Sequence, residues 1–367
     1  MVATREIISS ITTEELVGRL DSDDQLYMID VRDPDEVADW QIPGVHNIPL
    51  ALLEGSLSQV PRDRHLVLIC AKGARALQGA TILAAYGIAS DVLEGGMGAW
   101  ASTYDTVSGN FGGATVVQLR RRGKGCLSYV VGAGERCVVI DPSIDVEQYE
   151  EVAAVHGWKM THVLDTHLHA DHISGARELV QRSGATLLLS ASDPFHFAFE
   201  PLTDGRRIEL AHQVQLTVSA VSVPGHTEGS TMYQLGASAI FTGDTLFLES
   251  VGRPDLADQA EVFAHNLYQS LHERVLPLSD TTIVFPAHYG SAVEVHTNEF
   301  VARPLGELRT TLPALVMSES DFVAWAIANV KDRPANYQRI VRINAGAELL
   351  VDDAAEMELG PNRCAIS

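Results

Sequence analysis

Seven residues of this chain have the chemistry to hold a metal ion. Four crowd into one stretch, His167-Leu168-His169-Ala170-Asp171-His172. Three stand apart downstream: His226 in Pro224-Gly225-His226-Thr227, Asp244 in Thr242-Gly243-Asp244-Thr245, and His288 in Pro286-Ala287-His288. Neutral imidazole and carboxylate are ligands that suit zinc or iron. A lone histidine is usually structural or on the surface, and His65, His156, His196, His212, His265, His272 and His296 are read that way. The crowded stretch needs another explanation. It follows an apolar run (His162–Asp165) and precedes a helical pattern (Ile173–Gly184), so it reads as a loop at a strand's end. The three downstream residues share that setting, each just after a short apolar run.

Cys70 is the second reactive position. The apolar run Leu66–Ile69 delivers it into Ala71-Lys72-Gly73-Ala74-Arg75, ahead of a helical pattern over Ala76–Tyr86. A cysteine at such a turn faces free backbone N–H groups and the positive end of the helix dipole. Lys72 and Arg75 add positive charge, and all three favour thiolate. The small residues let the loop curl around an anion. That suits carrying a persulfide and gripping sulfite or thiosulfate. Cys126 and Cys137 fall in or beside strand patterns and read as buried packing residues. Cys364, in the tail, reads either as packing or as reaching the metal pocket.

The elements that must position these groups come in two blocks. The first alternates strand runs (Leu26–Val31, Leu66–Ile69, Val92-Leu93) with helical patterns, which predicts a parallel α/β sheet. Ser102–Asn110 is polar and small and reads as a linker. The second block bunches strands: Thr115–Leu119, Leu127–Val131 and Cys137–Ile140, then Val214–Val221, Met232–Leu235, Ala239–Phe241 and Thr282–Phe285. Helical patterns lie between (Val146–His156, Ala260–Leu276). Two sheets sandwiched between helices are expected. The tail reads as partly helical around Ser318–Val330 and then irregular.

Length and composition bound the rest. The chain has 367 residues, enough for two domains that each bury a core. Its formal net charge of −22 argues against nucleic acid and anionic membrane surfaces as partners. No apolar run approaches the roughly 20 residues of a membrane span. The start, MVATREIISS, lacks a signal pattern, so a cytoplasmic location is expected. The four cysteines show no disulfide-framework spacing, and reduced thiols are expected.

H-x-H-x-D-H, then P-G-H-T, G-D and P-A-H, resembles the signature of the metallo-β-lactamase superfamily, over about Phe111 to His288. Within it, Gly243–Phe247 followed by Val251-Gly252-Arg253-Pro254-Asp255-Leu256 is similar to the persulfide dioxygenases. So are the tail segments Arg333-Pro334-Ala335-Asn336-Tyr337 and Gly360-Pro361-Asn362-Arg363-Cys364. In the first block, Asp30-Val31-Arg32, Ile42–Pro49, Cys70 to Arg75 and Leu93–Gly96 with Trp100 together resemble a single rhodanese domain. Two departures stand out: Ala71 follows the cysteine where arginine is common, and Trp40-Gln41 replaces the usual Gly-His before Ile42-Pro43-Gly44.

These resemblances imply an α/β protein: a rhodanese-like parallel-sheet domain over 1–105, then a metallo-β-lactamase αββα sandwich over 111–367 with an extension from about 305. They imply one Fe(II) per chain, held by His167, His226 and Asp244, with His169, Asp171, His172 and His288 as supporting residues. The competing implication is two zinc or iron ions. His167, His169 and His226 would hold one, Asp171, His172 and His288 the other, and Asp244 would bridge. The implied substrate is a low-molecular-weight persulfide such as glutathione persulfide, oxidised by O₂ to sulfite. Arg253 is expected to hold its carboxylate. Cys70, with Lys72 and Arg75, is expected to pass sulfane sulfur between sulfite or thiosulfate and a thiol. The alternatives are a dinuclear thioester hydrolase resembling glyoxalase II and a non-oxygenase sulfur carrier or redox protein. Self-association as a homo-oligomer is compatible with all three.

Overall fold

The computed structural model describes residues 7–20, 22, 25–211, 216–255, 259–290, 293–330, 333, 336–350, 354–360 and 362–366. Of the motif residues above, Leu256, Pro334, Ala335 and Pro361 lie outside the described residues, as does Val214 of one expected strand. The chain divides into two compact units, one running to Asp105 and the other built from most of the remainder.

The first unit is a five-stranded sheet. Its strands are β1 (Ile8–Ile11), β2 (Leu26–Asp30), β3 (His46–Asn47), β4 (His65–Ile69) and β5 (Ser90–Leu93), in the order β1-β5-β4-β2-β3. Every pair is parallel. A parallel sheet is covered on both faces, so its central strand must be apolar throughout. Strand β4 obeys this through its two-residue period: Leu66, Leu68 and then Cys70 pack on one side, Val67 and Ile69 on the other.

The second unit carries two sheets. One contains β6 (Tyr104–Phe111), β7 (Ala114–Arg121), β8 (Cys126–Ala133), β9 (Arg136–Ile140), β10 (Lys159–Leu164), β11 (Thr186–Ser190) and β12 (Glu200–Leu202). The other contains β13 (Arg207–Ala211), β14 (Leu216–Ser222), β15 (Thr231–Leu235), β16 (Ala239–Gly243), β17 (Ile283–Pro286) and β18 (Arg303–Pro304). Val116, Tyr129, Val131 and Ile140 of the first meet Val218, Tyr233, Phe241 and Phe285 of the second in one core. The helices Glu147–His156 and Ala176–Ser183 cover the outer face of the first sheet. The helices Ala260–Ser270, Leu305–Thr311 and Glu319–Ala328 cover that of the second. This is the expected αββα sandwich.

Two expectations need correcting. The stretch read as a linker is mostly strand β6, at the edge of the seven-stranded sheet. An edge strand needs only one paired side and little apolar surface, so its polar sequence carries no strand signal. The tail read as irregular forms the helices Tyr337–Asn344 and Ala354–Met357. Helices this short are held by packing rather than by propensity, and Ile340, Ile343, Ala354 and Met357 pack with Ile173. Among the described residues, no helix is long and apolar enough to cross a membrane.

Topology brings the ligand candidates to one rim. Strands β9 and β10 are parallel neighbours, so Asp141 and the loop from Asp165 leave the same end of their sheet. Strands β14 and β15, and β15 and β16, are antiparallel, and β16 and β17 are parallel. Strands β14, β16 and β17 therefore run the same way, and His226, Asp244 and His288 follow their common C-terminal ends.

Candidate metal centre and cysteine loop

All seven predicted ligands are buried together in the second unit, none more than 3% exposed. Donor atoms of His167, His226 and Asp244 lie within 4.8 Å of one another. Asp244 Oδ2 is 3.7 Å from His167 Nε2 and 3.5 Å from His226 Nε2. Asp171, His172 and His288 form a second group, with Cys126. His169 is grouped differently, with Asp141 and Asp165.

Whether these residues fit a metal is answered by their bare atoms. His167 Nε2, His169 Nδ1, His172 Nε2, His226 Nε2, His288 Nε2 and Asp244 Oδ2 are buried without a hydrogen-bond partner. A buried polar atom without a partner costs about 1–3 kcal/mol, and six in one place are costly unless a cation serves them. The opposite ring nitrogens are anchored. His167 Nδ1 meets Thr166 Oγ1 at 2.9 Å, and His169 Nε2 meets Asp141 Oδ1 at 3.1 Å. His226 Nδ1 donates to the carbonyl of Arg253 at 2.9 Å. Anchoring one nitrogen sets the tautomer and aims the other. The donor set fits.

Electrostatics prepare the triad for a cation. Burial, helped by the neighbouring His169, pushes His167 well below the usual histidine range. Burial lowers His226 as well. Burial alone would raise Asp244, but His288, His167 and His226 outweigh it and hold the carboxyl well below its usual range. Neutral imidazole and ionised carboxylate are the forms a metal needs. In the second group, burial opposes charge on His172 and His288, yet Asp171 beside them raises both well above the usual range.

Backbone and side-chain ties hold the loops. Asp193 Oδ2 accepts from Leu168 N at 2.9 Å and from Thr227 Oγ1 at 3.1 Å, while Oδ1 accepts from Gly229 N at 2.9 Å. One buried carboxylate thus joins the first histidine loop to the His226 loop. Asn344 Nδ2 donates to the carbonyls of His169 (2.9 Å) and His172 (2.8 Å), and its Oδ1 accepts from Ser174 N at 3.0 Å. Glu358 Oε1 accepts from Ile173 N at 2.5 Å. Asp141 is the one described non-glycine residue with positive φ, 53°. In that strained conformation it takes Thr166 N, Thr166 Oγ1 and His169 Nε2. Gly252 passes so close to the site that a Cβ there would lie 1.9 Å from Asp244 O.

The sequence reading missed Asp141, Asp193, Asn344 and Glu358. Asp141 carried a signal, since it too follows a strand. The other three carried none. Cys126 opens strand β8 and is buried, as expected, but beyond packing its Sγ lies 3.5 Å from Asp171 Oδ2, beside the candidate ligands. Cys137 is wholly buried in the core, and burial pushes its thiol up to about 12. Of the two readings of Cys364, the structure selects the metal pocket, within 4.8 Å of Asp244 and His288 donor atoms. Burial, with Asp171 and Asp244, raises its thiol well above the usual range.

Arg253 also departs from expectation. Its Nε and Nη2 close on Asp255 at 2.7 and 2.9 Å, and Nη1 donates to Arg363 O at 3.0 Å. At 2% exposure, this fork is committed to holding chain segments together, not presented to a substrate carboxylate. Arg333 Nε joins the same Asp255 at 3.1 Å.

In the first unit, Cys70 sits where the sequence predicts, between β4 and the helix Ala74–Ala85. Its Sγ accepts from Gly73 N at 3.1 Å and from Ala76 N at 3.3 Å. Gly96 takes a positive φ of 57° against this loop, and a Cβ there would lie 2.1 Å from Cys70 O. Arg75 is paired with Glu36 at 2.7 and 2.8 Å. Its charge is therefore compensated, in part, rather than given wholly to the cysteine loop. Lys72 is exposed.

Comparison with known proteins agrees with both units. The model of the metallo-beta-lactamase superfamily matches residues 121–288, and that of the rhodanese-like domain matches residues 12–103. The mitochondrial persulfide dioxygenase ETHE1 of Bos taurus is 30% identical over 205 residues, 53% of this chain and 74% of that protein. A hydroxyacylglutathione hydrolase of Methylobacillus flagellatus is 36% identical over 116 residues, 32% of this chain but only 45% of that protein. The crystal structure of ETHE1 from Myxococcus xanthus superposes with a TM-score of 0.56 at 28% identity, covering 63% of this chain and 98% of that one.

Proposed function

Because the chain belongs to the metallo-β-lactamase superfamily and carries a rhodanese-like domain ahead of that fold, we propose that it oxidises a low-molecular-weight persulfide to sulfite and moves sulfane sulfur through Cys70. The observation that carries the first half is the separate group His167, His226 and Asp244, with three bare donor atoms. Two imidazoles and one carboxylate are the set that suits a mononuclear ferrous centre. Bound there, the ion supplies redox capacity and open coordination positions, which no side chain can. The relatives named persulfide dioxygenase support this reading.

The chain's own residues do the rest. Thr166 and the Arg253 carbonyl orient His167 and His226. The buried walls exclude bulk water from a reactive sulfur species. Overall, the terminal sulfur of the persulfide gives four electrons to O₂. Two oxygens of sulfite balance O₂, the third comes from water, and the thiol leaves with a proton.

Cys70 carries the second half. Its thiolate attacks the outer sulfur of thiosulfate, the sulfur–sulfur bond breaks, and sulfite leaves with the electron pair. A thiol then takes the sulfur from the Cys70 persulfide and restores the thiolate. The N–H groups of Gly73 and Ala76 stabilise negative charge at that sulfur throughout. One centre produces sulfite, and the other exchanges it.

The test is oxygen uptake by the iron-loaded protein with glutathione persulfide, with sulfite assayed in parallel. Uptake with stoichiometric sulfite is expected; neither appearing overturns the oxygenase reading. A second reading, thioester hydrolysis at two metals, is favoured by the hydroxyacylglutathione hydrolase relatives and by the second ligand group. It requires cleavage of S-lactoylglutathione without oxygen.

A further inference from the structure

We infer that Asp193 is a positioning residue of the metal triad: its carboxylate ties the loop of His167 to the turn of His226 and so sets the bite of those two imidazoles on an ion. Asp193 is not itself among the grouped donors. It lies just past strand β11 and is 5% exposed. Its oxygens grip the residue that follows each histidine. Oδ2 accepts from Leu168 N, next to His167, and from Thr227 Oγ1, next to His226. Oδ1 accepts from Gly229 N, further round the His226 turn. On the other flank of His167, Thr231 N donates to Thr166 O at 2.7 Å. The rings of His167 and His226 are thereby held edge to face, 4.8 Å between centroids at 85°.

The partners explain why this residue is an aspartate. Leu168 N, Thr227 Oγ1 and Gly229 N all donate to it. An ionised carboxylate accepts on both arms and has no donor of its own, whereas an asparagine would turn one arm into a donor facing another donor. A buried carboxylate is costly unless such hydrogen bonds serve it. Gly229 is fitted to the same group. A Cβ there would lie 2.5 Å from Asp193 Cγ, 2.6 Å from Oδ2 and 2.9 Å from Oδ1, its three nearest atoms. Gly229 is not in the left-handed region, so Asp193 requires the glycine and the turn does not.

A group positions others only when its own place is fixed. Phe195 N donates to Asp193 O at 2.9 Å, and His196 N donates to Ala345 O at 2.8 Å. Phe195, Phe197 and Phe199 meet in pairs and pack on the outer core of the seven-stranded sheet. Asn344 holds the carbonyls of His169 and His172, at the far end of the histidine loop. Asp193 holds the end that carries His167, and with it His226, so its influence falls on the triad. The inference rests on the metal-binding part of the proposed function and not on the persulfide reaction, and its test reads no activity.

Cobalt(II) added to the full chain is the probe, because its visible ligand-field bands shift with coordination geometry and competition with a chelator gives its affinity. The bands that Asp244→Asn removes belong to the triad. Asp193→Asn, equal in size but uncharged, should weaken cobalt binding there by about 10–100-fold and shift those bands. Gly229→Ala, which presses on the carboxylate from the His226 turn, should do the same. Met160→Ala opens a cavity in the outer core at the start of β10. It should lower the melting temperature and leave bands and affinity unchanged, which separates positioning from general stability. Unchanged affinity and bands in Asp193→Asn overturn the inference, as does an equal shift in Met160→Ala. If Asp193→Asn does not fold, Gly229→Ala decides, and full affinity with unshifted bands overturns the inference. Oxygen uptake is measured separately, so a failure of the oxygenase reading is told apart from a failure of this one.

Discussion

The side-chain amide of Asn344 donates to the carbonyl of His169 across 2.9 Å of space and 175 positions of sequence. A residue of the C-terminal extension therefore holds the loop that carries four of the candidate ligands. Removing it strips partners from the carbonyls of His169 and His172 and from Ser174 N. Asn344→Ala should weaken metal binding about 10–100-fold, the usual cost of losing an outer-shell partner. Competition with a chelator measures this, and unchanged affinity would assign Asn344 to tail packing alone.

Gly252 leaves no room for a side chain, since a Cβ would stand 1.9 Å from Asp244 O and 3.2 Å from His226 Cβ. Neither neighbour can yield without moving a ligand. Gly252→Ala should cost about 1–3 kcal/mol or more and lower metal content together with the melting temperature. Full metal content with an unshifted melt would refute this.

The pair Glu36–Arg75 sets a pH window in the first unit. The Arg75 hydrogen bond lowers Glu36 from 4.5 to about 2. A depressed carboxylate contributes stability that is complete above its unfolded value and lost as pH falls through its folded one. The contribution is thus whole above pH 4.5 and fades toward pH 2. The pair is about one-third exposed, so the effect on stability is small. Glu36→Gln should remove that acid-side dependence. It should also free Arg75 toward the cysteine loop and lower the KM for thiosulfate severalfold. A raised KM would mean that the pair itself shapes the anion site.

The two chemistries should separate by mutation. Cys70→Ser should abolish sulfur transfer from thiosulfate and leave oxygen uptake intact. Asp244→Asn removes the triad's charged ligand and should cut iron retention and oxygen uptake by more than about 100-fold, with sulfur transfer unchanged. If Cys70→Ser also stopped oxygen uptake, the two reactions would share an obligatory step.

Much of this protein is legible in the sequence because its signals are local. The apolar run of β4 predicts a doubly covered parallel strand, and Cys70 at its end predicts a loop under a helix N-terminus. His167 to His172 declare a metal loop through residue type and spacing alone. His226, Asp244 and His288 share one recognisable position, just past a strand. Only the tertiary structure decided which atoms meet. Cys126 looks like any cysteine at a strand's edge until its backbone pairs with His288. Arg253 looks like an anion binder until Asp255 closes its fork. Strand β6 and the short helix bearing Asn344 lack signals of their own, because pairing and packing with distant segments stabilise them. Periodicity encodes which face of an element is apolar; it does not encode which remote side chain completes a site.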